Sequence, residues 1–192
     1  ARGIPVLGIE PALNVAAAAE ARGVPTLTEF FGRDLARRLL AERGPADLVI
    51  GNNVLAQVPD LNDFVSWIAI LLAPGGVATL EFPHVVRLIE GVQFDTIYHE
   101  HFSYFSLTTT ARIAAAHGLV VADVEELPTH GGSLRVYLRR REAGPPGPAV
   151  EALLRSVEDS RKYLDTSKRF DMPGFRPRPE YVRELKRFGL LP

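Results

Sequence analysis

Apolar residues in this chain fall into short blocks separated by stretches with a helical period. Residues 6–9 form an apolar run closed by Glu10 and Pro11, and residues 24–27, 47–51 and 77–82 form three more. Each has the length and flanking turn residues of a buried strand. Between them lie three helical patterns. Alanine-rich residues 13–22 are stopped by Gly23, residues 33–43 by Gly44 and Pro45, and amphipathic residues 60–72 by Pro74, Gly75 and Gly76. Strands alternating with helices at this spacing predict βαβ units and a parallel sheet covered on both faces.

The pattern changes further on. Residues 107–117 read as a helix ended by Gly118, and residues 119–126 and 133–140 as strands. The loop between those strands is too short for a helical crossover, so they should pair antiparallel at the edge of the sheet. The Gly and Pro residues of 144–148 form a linker by composition, followed by a helix over 149–164 and a proline-rich, basic tail with a short helix over 180–188. The expected fold is a doubly wound, mostly parallel α/β sheet with an antiparallel edge pair. The expected organisation is a domain over 1–141, a linker over 142–148 and an extension over 149–192.

Composition narrows the function classes. With 22 basic and 23 acidic residues the net charge is -1, which gives no global attraction to nucleic acid or to an anionic membrane. The absence of cysteine excludes disulfides, thiolate zinc sites and a cysteine nucleophile. The longest apolar run, residues 67–73, is far short of the roughly 20 residues that span a bilayer. The chain reads as a cytoplasmic monomer. It runs into a strand almost at once, and so reads as a chain entered in its middle.

Candidate chemistry concentrates in Tyr98, His99, Glu100, His101, Phe102, Ser103, Tyr104, Phe105 and Ser106, a run with no period that dictates a core face. A histidine beside a carboxylate and a phenol can exchange protons near neutral pH. Three readings are open on these residues: a proton-transfer site, a packed aromatic cluster, and a metal site using His99, Glu100 and His101 with His84 or His130. Glu10, just past the tip of a strand, is placed to bond the ribose hydroxyls of a nucleoside cofactor. Asn52 and Asn53 follow one strand end, and Phe82, Pro83 and His84 another, so a cleft along one sheet edge competes with three independent turns. No glycine-rich turn precedes Glu10.

Four segments, DLVIGNNVLAQVPD (47–60), EFPH (81–84), QFDTIYHEHFSYFS (93–106) and VEELPTHGGS (124–133), resemble sugar C-methyltransferases dependent on S-adenosylmethionine. The resemblance runs from about Gly8 to Arg140. It implies a Rossmann-like class I methyltransferase sheet acting on a nucleotide-linked 4-keto-deoxysugar. A histidine removes the proton beside the ketone, and the enolate attacks the sulfonium methyl. By this resemblance His101 is the base, supported by Tyr98 and Glu100. Glu10, Phe30, Phe31, Gly51 and Asn52 fall on the cofactor side. Asn53, Gln57, Phe82, His84, Tyr104 and His130 fall on the sugar side.

The sequence also departs from that family. Relatives commonly carry a second histidine where this chain has Gln57, which cannot take a proton near pH 7. The family's zinc-binding N-terminal module, its longer C-terminal domain and its first strand with a glycine-rich turn are not found in this sequence. That first strand would sit between the strands at residues 6–9 and 47–51, so its absence predicts a gap or a re-paired sheet. The departures motivate a rival reading, a nucleotide-sugar binding module that has lost catalysis. A nicotinamide-dependent epimerase lacks its Tyr-x-x-x-Lys pair here.

Overall fold

Local sequence sets the helix ends. Asp60 caps α3 (Leu61–Leu71) by accepting from the Asp63 N–H at 2.8 Å, and Ser106 caps α5 (Leu107–Ala116) by accepting from the Thr109 N–H at 3.2 Å. Phe64, Val65, Trp67, Ile68 and Leu71 form the buried stripe of α3 at helical spacing. The computed structural model describes residues 3–97 and 99–160. The predicted helix over 180–188 and the candidate Tyr98 lie outside the described residues. The chain divides into two units, residues 1–150 and residues 151–192.

The elements follow in the order β1 (Gly8–Ile9), α1 (Leu13–Glu20), β2 (Thr26–Leu27), α2 (Arg33–Arg43), β3 (Ala46–Asn52), α3, β4 (Leu72–Pro83), α4 (Val85–Glu90), α5, β5 (Leu119–Leu127), β6 (Ser133–Arg140) and α6 (Pro148–Ser160). β1 and β2 pair in parallel as a separate two-stranded sheet. The other four strands form a sheet in the order β3-β4-β6-β5, with β3 parallel to β4 and β6 antiparallel to both its neighbours. The expected antiparallel edge pair is therefore present. Of the two outcomes expected for the sheet, a gap or a re-pairing, the gap is found: among the described residues no strand joins β1 to β3.

Register explains which face of the larger sheet is the core. Ala78 faces Leu138, Leu80 faces Val136 and Phe82 faces Leu134, all six buried. Val49 and Gly51 of β3 continue that face beside Ala78 and Leu80. α3 packs on β4 and α5 on β5. The alternate residues form a polar face, where Glu81 faces Arg135 and Arg135 faces Glu125. On β3 the opposite face holds Leu48 and Ile50, which are 56% and 64% exposed. Burial on both faces, expected for parallel strands, thus fails at β3 among the described residues.

β4 begins earlier than the pattern predicted. The pattern stops the helix at Pro74, Gly75 and Gly76 and starts the strand at Val77, yet α3 ends at Leu71 and Leu72 already pairs with Ala46. A register shift follows before Leu48 pairs with Val77, so the Pro-Gly-Gly segment is carried as a bulge. The Leu72 carbonyl accepts from the Arg140 guanidinium at 2.9 and 2.7 Å, a partner 68 residues away that no local pattern reveals.

The two glycines of this bulge differ. A Cβ on Gly76 would lie 2.8 Å from the Ala46 carbonyl oxygen, whereas one on Gly75 meets nothing within 4 Å. Gly76→Ala is expected to cost about 1–3 kcal/mol by overpacking, and Gly75→Ala to stay within about 0.5 kcal/mol of the parent. Urea unfolding of both variants measures the difference, and equal midpoints would reject the close β3–β4 approach.

Candidate functional site

The C-terminal end of β4 gathers the sequence motifs. The Asn53 N–H donates to the Glu81 carbonyl at 2.8 Å, the His84 N–H to the Gly132 carbonyl at 2.9 Å, and the Val85 N–H to the Phe105 carbonyl at 2.9 Å. His84 and Phe105 form a parallel bridge. The Ala56 carbonyl, in the 3-10 turn Leu55–Gln57, accepts from the N–H groups of Phe102 at 2.8 Å and Ser103 at 3.3 Å. Backbone bonds thus join the Asn53–Gln57 turn, the His101 segment and the His130 loop to one strand end.

His101 is half-buried, and its ring meets Tyr104 edge-on with centroids 5.6 Å apart. The Tyr104 hydroxyl donates to the Thr96 carbonyl at 3.4 Å. Glu100, Gln57 and His130 are exposed, and Asn53 is half-buried. Asn53 and His130 hold left-handed backbone, with φ 55° and 52°. Asparagine tolerates that region well, so Asn53 continues the tip of β3 at little cost.

Two candidates take different places from the cleft expected for them. Phe82 has 0% exposure and packs its ring against Phe105 at 5.5 Å, because its register position points into the core opposite Leu134. It supports the sheet from within. His84 is 2% exposed, and neither ring nitrogen has a hydrogen-bond partner. Burial pushes its imidazole below the ordinary histidine value, with Arg87 lowering it further and Glu126 and Glu90 opposing.

Glu10 stands just past β1. Its N–H donates to the Leu27 carbonyl at 3.0 Å, and its Oε1 accepts from the Ala12 N–H at 2.8 Å. That bond fixes one of the two carboxylate oxygens. Phe30 is 84% exposed, whereas the Phe31 ring lies against Trp67 of α3. Gly51 is buried, and a Cβ there would lie 2.9 Å from a Leu80 methyl. Asn52 is exposed at the tip of β3. Among the described residues no group of three or more His, Cys, Asp or Glu side chains could hold a metal ion.

A polar cluster absent from the sequence-based set lies behind the His130 loop. Glu81, buried, accepts from Arg135 at 2.9 Å and from the Thr129 hydroxyl at 3.3 Å, while Arg135 and the Tyr137 hydroxyl both reach Glu125. The bond to Glu81 holds the Arg135 guanidinium above its ordinary value. Alternation along β6 places Arg135 and Tyr137 on the polar face and was visible in the sequence, but the partners on β4 and β5 depend on register.

Parallel pairs β1–β2 and β3–β4 joined through helices, with an antiparallel pair at the edge, define a Rossmann-like α/β sheet in which Glu10 and Asn53 follow strand ends. The family described as "Methyltransferase domain" matches residues 1–124. C-methyltransferase NovU of Streptomyces niveus is 41% identical over 132 residues, which are 69% of this chain and 31% of that protein. The chain therefore spans about a third of that relative's length. Among solved structures, the PH0226 protein of Pyrococcus horikoshii superposes with a TM-score of 0.55 at 15% identity, covering 72% of this chain and 73% of that one. Magnesium protoporphyrin IX methyltransferase of Synechocystis, solved with S-adenosylhomocysteine, gives 0.53 at 16% identity, with 72% and 65% coverage. These structures share the fold. The chain belongs to the methyltransferase-domain family.

His84 generates a pH prediction. Its folded-state value lies below the unfolded value of about 6.5, so the unfolded chain binds more protons as pH falls through and below that value, and stability falls with it. His84→Phe removes this contribution. The loss of unfolding free energy between about pH 7.5 and about pH 5.5 is expected to be smaller in His84→Phe than in the parent. An identical loss in both would show that burial does not hold the His84 imidazole below its unfolded value.

Proposed function

We propose that the chain is the catalytic part of an S-adenosylmethionine-dependent C-methyltransferase acting on a nucleotide-linked 4-keto-deoxysugar. The observation that carries the reading is the convergence of the Asn53 turn, the His101 segment and the His130 loop on the end of β4. The 41% identity to a C-methyltransferase supports the reaction class. Residues 1–141 form the catalytic portion in this reading, residues 142–148 a linker and residues 149–192 an extension. A further parallel strand fills the space between β1 and β3. The protein works as a cytoplasmic monomer.

The residues present suit one end of the cofactor. Glu10, with Oε1 fixed by Ala12, takes the ribose hydroxyls; Asn52 lies along the same edge, Gly51, whose Cβ position faces Leu80 in the core, contributes through its backbone, and the exposed Phe30 ring, with Phe31 beside it, serves the adenine. The bound cofactor supplies an electrophilic methyl group. His101 removes the proton from the ring carbon beside the ketone, and Glu100 and Tyr98 steady the imidazolium that results. Asn53, Gln57, Tyr104 and His130 orient the sugar. His84 contributes from beneath, and Phe82 holds the strand end rigid. Because Gln57 accepts and donates hydrogen bonds but holds no proton to exchange near neutral pH, proton transfer rests on His101.

Two rates test the assignment in the chain extended to the length of its relatives: methyl transfer, and deuterium exchange at the carbon beside the ketone. His101→Asn is expected to lower both by about 10²- to 10⁴-fold, the usual contribution of a placed general base. Full rates in that variant would remove His101 as base. Calorimetry addresses the rival reading, in which the sugar nucleotide binds and S-adenosylhomocysteine does not.

A further inference from the structure

The residue that opens the 93–106 motif, Gln93, has no part in the reaction just described, yet the chain is bent sharply to place it. α4 ends in a reversal in which the Gln93 N–H donates to the Leu88 carbonyl at 2.9 Å and the Val92 N–H to the Ile89 carbonyl at 3.2 Å. Such six-to-one closures ordinarily put glycine at the left-handed position. Here that position is Val92, φ 51°, a β-branched residue for which the region is an outlier, and its side chain is 53% exposed, so burial does not offset the strain.

What the reversal achieves appears at the side chain. Gln93 Nε2 donates to the Gly131 carbonyl at 2.9 Å across 38 residues. A Cβ on Gly131 would lie 2.2 Å from Gln93 Oε1, and one on Gly91 would lie 2.6 Å from Nε2. The amide therefore occupies a slot between two glycines that only their missing side chains allow. Next to Gly131 is His130, also left-handed. Two strained non-glycine residues thus flank a single hydrogen bond, and such conformations persist only where the surroundings over-determine them.

The backbone of Gln93 reaches the other histidine. Its carbonyl accepts from the Thr96 N–H at 3.3 Å and the Thr96 hydroxyl at 2.8 Å. The Thr96 carbonyl accepts from the Tyr104 hydroxyl, and the Tyr104 ring meets His101. We propose that Gln93 is a positioning residue that registers the His130 turn against the His101 segment, acting through Gly131 on one side and Thr96 on the other. Its kinetic consequence rests on the methyl-transfer reading. Its structural consequence does not.

The test uses Gln93→Leu, which keeps the bulk and loses the amide, and Gln93→Glu, which keeps the shape and loses the donor. Ring resonances of His130 and His101 are followed by histidine side-chain NMR together with the thermal midpoint. Both variants are expected to shift and broaden the His130 resonances while the midpoint changes little. In the chain extended to the length of its relatives, KM for the sugar nucleotide is expected to rise by about tenfold to a hundredfold, with a smaller fall in kcat. Gly131→Ala disturbs the same contact, so Gln93→Leu combined with Gly131→Ala should be no worse than the worse single variant. Unchanged His130 resonances in both Gln93 variants, or full additivity with Gly131→Ala, would overturn the proposal. Absence of methyl transfer alone would count against the reaction and leave the NMR test standing.

Discussion

The Asn53 turn, the His101 segment and the His130 loop depend on the backbone hydrogen bonds that leave the end of β4 and the turn beside it. Glu81 offers its carbonyl to Asn53, His84 donates to Gly132, and Val85 donates to Phe105. Each bond is worth only about 0.5–1.5 kcal/mol net, but leaving a buried amide without a partner costs about 1–3 kcal/mol. The buried Phe82, His84 and Phe105 keep water from competing at this point. Three segments that are remote in sequence therefore share one rigid anchor, as functional loops generally need.

The same strand divides the sheet into an apolar and a polar side. Phe82 and Leu80 belong to the core, whereas Glu81 looks the other way and collects Arg135 and Thr129. Arg135 is shared between the carboxylates of Glu81 and Glu125, so its charge is already matched. The cluster fixes the root of the His130 loop, and Ser133 adds a bond from its hydroxyl to the Thr129 carbonyl at 3.0 Å. On β3 the division is incomplete, since Leu48 and Ile50 are apolar residues on a face left open.

Much of this was legible from hydrophobic period alone. α2 and β6 have the expected bounds, and the short loop at residues 127–132 correctly implied antiparallel pairing. The positions of Glu10 and Asn53 just past strand ends were legible because a strand tip is marked by the residue that ends an apolar run. The start of β4 was not, because it is fixed by Arg140 and Ala46 rather than by local sequence. Nor was the burial of Phe82 and His84, which follows from which strand lies alongside. Gln93 was hidden for a related reason: the glycines that make its slot lie on both sides of the contact, one of them 38 residues away, and each alone reads as an ordinary turn.

Native-state hydrogen exchange of single amides tests the anchoring role of β4 most directly. If the strand end and its attached segments form one unit, the amides of Asn53, His84 and Val85 will exchange with free energies close to those of Leu80 and Phe82 within β4, through the same global opening. Exchange of those three at loop-like rates, with the interior of β4 still protected, would contradict the account.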